Sequence, residues 1–141
     1  MMRLGPPRVL IVEDDPDTLV ILRVNLQHAG IETILAAEGK TAIARIEAEK
    51  PDAVVLDVLL PGIDGWQVLE ELHAMGDPVP VIVCSGKNNP HDIQRARELG
   101  AFAYLTKPFD IDRLLDAAAE AVQDRRIESQ PGFGVQGYGL A

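Results

Sequence analysis

The sequence holds one cysteine, Cys84, so no disulfide can close within the chain, as expected of a protein kept in a reducing cytoplasm. Basic residues are in deficit. Thirteen Lys and Arg stand against 22 Asp and Glu, for a net charge of -9. That balance excludes the basic footprint of a direct nucleic-acid binder and the attraction to an anionic membrane surface. No apolar run approaches the roughly 20 residues of a membrane span. The opening "MMRLGPPR" leads straight into a strand-like run, with no secretory signal visible.

What is present is an ordinary globular composition, 47% hydrophobic and 25% charged over 141 residues, enough for one domain with a real core. "RVLIV" (8–12) reads as a buried strand, and Pro16 suits the first turn of a helix over 16–29, stopped by Gly30. "IETILAA" from Ile31 is a second strand, followed by a helix over about 40–49 that Pro51 ends. "AVVLD" (53–57) is the third strand and "GWQVLEELHAM" a helix up to Gly76. "VPVIVCS" (79–85) is the fourth strand, before a helix over about 91–99. "AFAYLT" (101–106) is the fifth, and 110–126 form a last helix. Strands that are apolar throughout and alternate with helices predict an α/β doubly wound (βα)5 parallel sheet, flavodoxin-like, in order 2-1-3-4-5. The expected domain runs over 8–126, after a short N-terminal extension (1–7). The glycine-rich "IESQPGFGVQGYGLA" (127–141) reads as a flexible tail or linker.

Ligands of such sheets bind beyond the carboxyl ends of the strands. Those ends carry Glu13, Asp14 and Asp15 after strand one, Asp57 after strand three, Ser85 after strand four and Lys107-Pro108 after strand five. Strands one and three are neighbours in the expected order, about 4.8 Å apart, so their acids crowd one pocket. Like charges that close require a cation or a shared proton. Hard oxygens with open water positions suit Mg2+. A hydroxyl and an ammonium beside such a metal make a site for a phosphoryl group.

The motifs "VLIVEDDP" (9–16), "LDVLLPGIDGW" (56–66), "VIVCSG" (81–86) and "AYLTKPF" (103–109) together resemble, in order and spacing, the receiver domain of two-component response regulators. The resemblance implies a role for each position. Asp57 is the phosphoacceptor, fed by a sensor histidine kinase or a phosphotransfer protein. Asp14 ligates Mg2+ directly and Glu13 through water, with Asp57 and the backbone carbonyl of Leu59 completing the protein ligands. Ser85 is the switch hydroxyl, Lys107 the lysine that pairs with the phosphoryl group, and Tyr104 an aromatic that fills the space Ser85 vacates. The family often has a cis bond after that lysine, here Lys107-Pro108. The resemblance implies a signalling domain, with at most slow autodephosphorylation of its own, acting on a downstream effector or its own output domain. A dimer-forming charge pattern on the last helix is not evident.

The first helix adds an expectation. At about 100° per residue, Leu19, Leu22, Leu26 and Ala29 should face the sheet and Val20 should be covered by the last helix. Ile21 and Val24 should face outward with Asp17 and His28. By family precedent the kinase docks beside this helix, which makes Ile21 and Val24 its candidate contacts. Two rival chemistries fail on residues. A flavin or dinucleotide site needs a phosphate loop after strand one, where "EDDP" repels phosphate. A phosphatase of the haloacid dehalogenase type needs a second acid where Leu59 stands. A receiver-like module that binds partners without phosphorylation is the remaining alternative.

Overall fold

The computed structural model describes residues 5–60, 64–87, 89–108 and 110–127, with side chains to Arg125. Five strands, β1 (Arg8–Val12), β2 (Glu32–Ala36), β3 (Ala53–Asp57), β4 (Val81–Ser85) and β5 (Ala103–Thr106), alternate with five helices. These are α1 (Pro16–His28), α2 (Gly39–Glu49), α3 (Gly65–Met75), α4 (Pro90–Glu98) and α5 (Ile111–Ile127). All pairings are parallel, in the order β2-β1-β3-β4-β5. The expected fold class and strand order are therefore observed. The expected tail over 127–141 and the Pro61-Gly62 turn lie mainly outside the described residues.

The two faces of the sheet divide the core. Leu10, Val12, Val54, Leu56, Val81 and Val83 point to the side covered by α2, α3 and α4, where they meet Ala42, Ile46, Val68, Leu69, Leu72 and Ala96. Their neighbours Val9, Ile11, Ala53, Val55, Ile82 and Cys84 point to the other side, against Leu22 and Leu26 of α1 and Leu114, Ala117, Ala118 and Ala121 of α5. Each fully buried Val, Leu or Ile contributes about 1.5–3 kcal/mol, so the central strands can carry no polar side chain until they end. The edge strand β2 departs from the apolar expectation. Glu32 is exposed and Thr33 and Leu35 only half-buried, since one flank of an edge strand is uncovered.

Several expected boundaries move by one or two residues, for local reasons. Ile31 belongs to the turn that ends α1, its N–H donating to the Leu26 carbonyl while Gly30 takes φ 85°. Pro80, which has no N–H, keeps β4 from starting at Val79. Ala101 still bonds back to Ala96 of α4, so β5 starts later than predicted. Two expectations for α1 are corrected. Val20 is 47% exposed, because the cluster joining α1 to α5 takes Leu22, Leu26 and part of Leu19 and does not reach it. Ala29 is exposed because it caps the helix beyond its last turn.

Candidate functional site

The three consecutive acids after β1 separate into three environments. Glu13 continues the strand, its N–H donating to the Ala36 carbonyl at 3.0 Å, and is buried. Asp14 is exposed. Asp15 caps α1, its carboxylate accepting from the Thr18 N–H at 3.0 Å and from the Thr18 hydroxyl. Those bonds from Thr18 hold the Asp15 carboxyl below its usual range.

Asp57 is the last residue of β3 and 8% exposed. Its Oδ1 accepts from the Leu59 N–H at 2.9 Å and its Oδ2 from Lys107 Nζ at 3.2 Å. Lys107 also donates to Glu13 Oε1 at 2.8 Å. Its backbone is fixed by its own N–H, which donates to the Ser85 carbonyl at 2.7 Å, and the following bond to Pro108 is cis. Burial works against the Lys107 ammonium, but the hydrogen bond to Glu13 and the charge of Asp57 outweigh it and raise its pKa. Burial also raises the pKa of Glu13, with Asp57 adding to the effect and Lys107 opposing it.

Glu13, Asp14 and Asp57 each offer an oxygen within 4.8 Å of the others. Three carboxylates against one lysine leave a surplus of two negative charges. Hard oxygen donors with that surplus fit a divalent cation such as Mg2+. The Leu59 backbone lies next to Asp57 through its N–H, and its side chain is 57% exposed.

Ser85, at the end of β4, is 1% exposed, and its Oγ accepts from the Lys87 N–H at 3.1 Å. Tyr104 is 2% exposed and its hydroxyl donates to the Lys87 carbonyl, so the Lys87 backbone is held at both its N–H and its carbonyl. Burial raises the Tyr104 pKa. The Tyr104 ring lies inside while the Ser85 hydroxyl bonds to Lys87. Ile21 and Val24 face outward on α1 at 52% and 53% exposure. They lie on the flank of the fold with Val20, outside the acid pocket.

Gly65 was not anticipated. A Cβ there would lie 2.3 Å from both the Asp57 carbonyl oxygen and the Val58 Cα, and its N–H donates to the Val58 carbonyl at 3.1 Å. Only glycine lets the start of α3 rest on the backbone that carries Asp57. Asp64 caps that helix in a reciprocal box with Gln67 and stays out of the pocket. A surface groove of about 510 Å³ near Leu72, Val79, Leu99 and Phe102 lies at the opposite end of the sheet and touches no site residue.

The sequence matches the response regulator receiver domain over residues 9–119. The chain belongs to the response regulator receiver family. It is similar to the alkaline phosphatase synthesis transcriptional regulatory protein PhoP of Bacillus subtilis (36% identical, over 88% of this chain and 51% of that protein). It is also similar to the transcriptional regulatory protein PrrA of Mycobacterium tuberculosis (40% identical, over 85% of this chain and 51% of that protein). The chain thus spans about half the length of these curated relatives. Among solved structures, the receiver domain of the Francisella response regulator 1452 superposes with a TM-score of 0.80 at 30% identity, over 83% of this chain and 97% of that one. Receiver domains use Mg2+ at an acidic pocket, and this receiver has an acidic cluster at the corresponding strand ends. Among the described residues, no helix is long and apolar enough to cross a membrane.

Proposed function

We propose that Asp57 takes a phosphoryl group from the phosphohistidine of a sensor histidine kinase or phosphotransfer protein. The single observation that carries the reading is Lys107 Nζ reaching both Asp57 and Glu13 from β5, in a pocket where acids outnumber cations. An Asp57 carboxylate oxygen attacks phosphorus, and the N–P bond breaks with its electron pair going to the donor imidazole. Transfer of this kind depends on positioning and charge neutralisation. Lys107 neutralises charge on the incoming group, and Ser85 exchanges its bond from Lys87 for one to a phosphoryl oxygen. Asp14 and Asp57, with Glu13 through water and the Leu59 carbonyl, are the residues that would hold Mg2+. When bound, the ion shields the pocket's surplus negative charge from the incoming phosphoryl oxygens.

The functional unit assigned here covers 8–126, acts in the cytoplasm, and signals to an effector or an output domain of its own. PhoP and PrrA are named as transcriptional regulators, which supports a receiver that works through such an output rather than by contacting nucleic acid itself. The complete set of Asp57, Lys107, Ser85 and paired acids disfavours a purely phosphorylation-independent module.

With acetyl phosphate and Mg2+, mass spectrometry should find one added phosphoryl group on the native protein and none on Asp57→Asn. Undiminished labelling of that variant overturns the assignment. A second measurement addresses docking. Ile21, Val24 and Val20 form an exposed apolar patch on α1. Ile21→Asp should keep labelling by acetyl phosphate while transfer from the kinase falls at least several-fold, because a charge is desolvated in the contact. Retained transfer moves the docking surface elsewhere.

A further inference from the structure

A second chain of contacts leaves the site by way of α3. Trp66 follows Gly65, and Gly65 rests on the backbone of Asp57 and Val58. The first turn of α3 therefore moves with the peptide that carries Asp57. The Trp66 ring is half-buried against the core layer beneath α2, α3 and α4. Arg95, in the last turn of α4, lays its guanidinium over that ring, 4.4 Å from the centroid. The same guanidinium stands 3.8 Å from Glu70 Oε2. Glu70 lies four residues after Trp66, on the same face of α3.

The helix that receives this contact has little else to hold it. Ala96 is the one fully buried residue of α4, and Ile93 packs only in part. Its first turn follows the loop where Ser85, Lys87 and Tyr104 meet, and Asn89 caps it. α4 thus begins just past the backbone of Lys87, and its last turn is tied to α3 through Arg95.

We propose that Trp66, Arg95 and Glu70 form a clamp through which the acceptor loop sets the position of α4. It is a route out of the site separate from the Ser85–Lys87–Tyr104 chain. Its regulatory meaning rests on the phosphoacceptor reading; its existence does not. A planar guanidinium stacks on an indole face in a way that a compact ammonium cannot reproduce. On a weakly anchored helix, one such contact shifts the balance of local opening measurably.

The test is amide hydrogen exchange on the full chain, comparing the native protein with Arg95→Gln and Arg95→Lys. Each is measured alone and with Mg2+ and beryllofluoride, a phosphoryl mimic. Without the mimic, Arg95→Gln should speed exchange of the α4 amides about two- to fivefold, the factor a surface cation–π contact supplies. Exchange in α1 and α2 should not change, and Arg95→Lys should fall between the two. With the mimic, the native protein should change its α4 exchange, and Arg95→Gln should show a smaller change. Unaltered α4 exchange in Arg95→Gln overturns the clamp, as does equal acceleration of every helix, which signals general loss of stability. If the mimic alters no amide of the native protein, the phosphoacceptor reading and the regulatory role fall together. The comparison without mimic still decides whether the clamp exists.

Discussion

Strand β3 is flanked by two buried aspartates that live in opposite surroundings. Asp52, just before the strand, is 1% exposed, and its Oδ2 accepts from the Arg8 N–H at 2.9 Å while its own N–H donates to the Arg8 carbonyl at 2.8 Å. Asp52 thus ties β1 to β3 through its carboxylate and its own N–H. Asp57, at the other end, has one backbone donor, a lysine shared with Glu13, and two further acids at hand. Burial of a carboxylate is therefore a weak pointer to function. Like charges gathered round it are the stronger sign, because folding alone has no use for them.

The sharpest way to break the comparison is to remove each acid in turn. Asp52→Ala strips the Arg8 N–H of a buried partner and should lower stability by about 1–3 kcal/mol, while acetyl phosphate labelling of the folded protein persists. Asp57→Asn relieves repulsion and, in metal-free buffer at low salt, should raise stability by on the order of 1 kcal/mol. Urea unfolding checks both. If both substitutions destabilise alike, the two ends of β3 do not differ as described. Gly65→Ala comes next. It forces α3 off the Asp57 backbone and should lower stability by about 1–3 kcal/mol, with slower phosphoryl uptake. Unchanged uptake would mean the α3 approach does not position Asp57.

The smallest effect concerns Cys84, which sits beside Asp57 in sequence register but faces the other side of the sheet. Burial pushes its thiol up to about 12 from 9.0. The unfolded chain gives up that proton first, so the thiol's contribution to stability is whole below pH 9 and is lost as pH rises toward 12. Cys84→Ala should therefore flatten the alkaline fall in stability between pH 9 and pH 11. A thiol reagent at pH 8 should label native Cys84 only as fast as the protein opens; rapid labelling would contradict its burial.

The sheet was legible because five short apolar runs each end in a polar residue or a turn, and the parallel order then brings Glu13, Asp14, Asp57, Ser85 and Lys107 to one rim. What stayed hidden depends on distances between elements. Helical periodicity gives Val20 a direction, but only the position of α5 says whether anything covers it. The glycine before Trp66 is unremarkable as a letter; its necessity comes from the close approach of α3 to the end of β3. Nothing in the α4 sequence announces that Arg95 reaches Trp66 rather than solvent. Tyr104 is similar, since a buried aromatic is legible in a strand but the bond from its hydroxyl to Lys87 is not.

Glu13 and the lysine that pairs with it stand 94 residues apart in the chain. A growing polypeptide therefore presents all three acids before the ammonium that binds two of them. Pairing of β1 with β3 needs no residue beyond Asp57, so the negative rim can assemble before Lys107, the cation bonded to Glu13 and Asp57, has been added. Until Lys107 joins them, repulsion among the acids is eased by dissolved salt, so the ionic strength around the growing chain bears on how readily the central strands first meet.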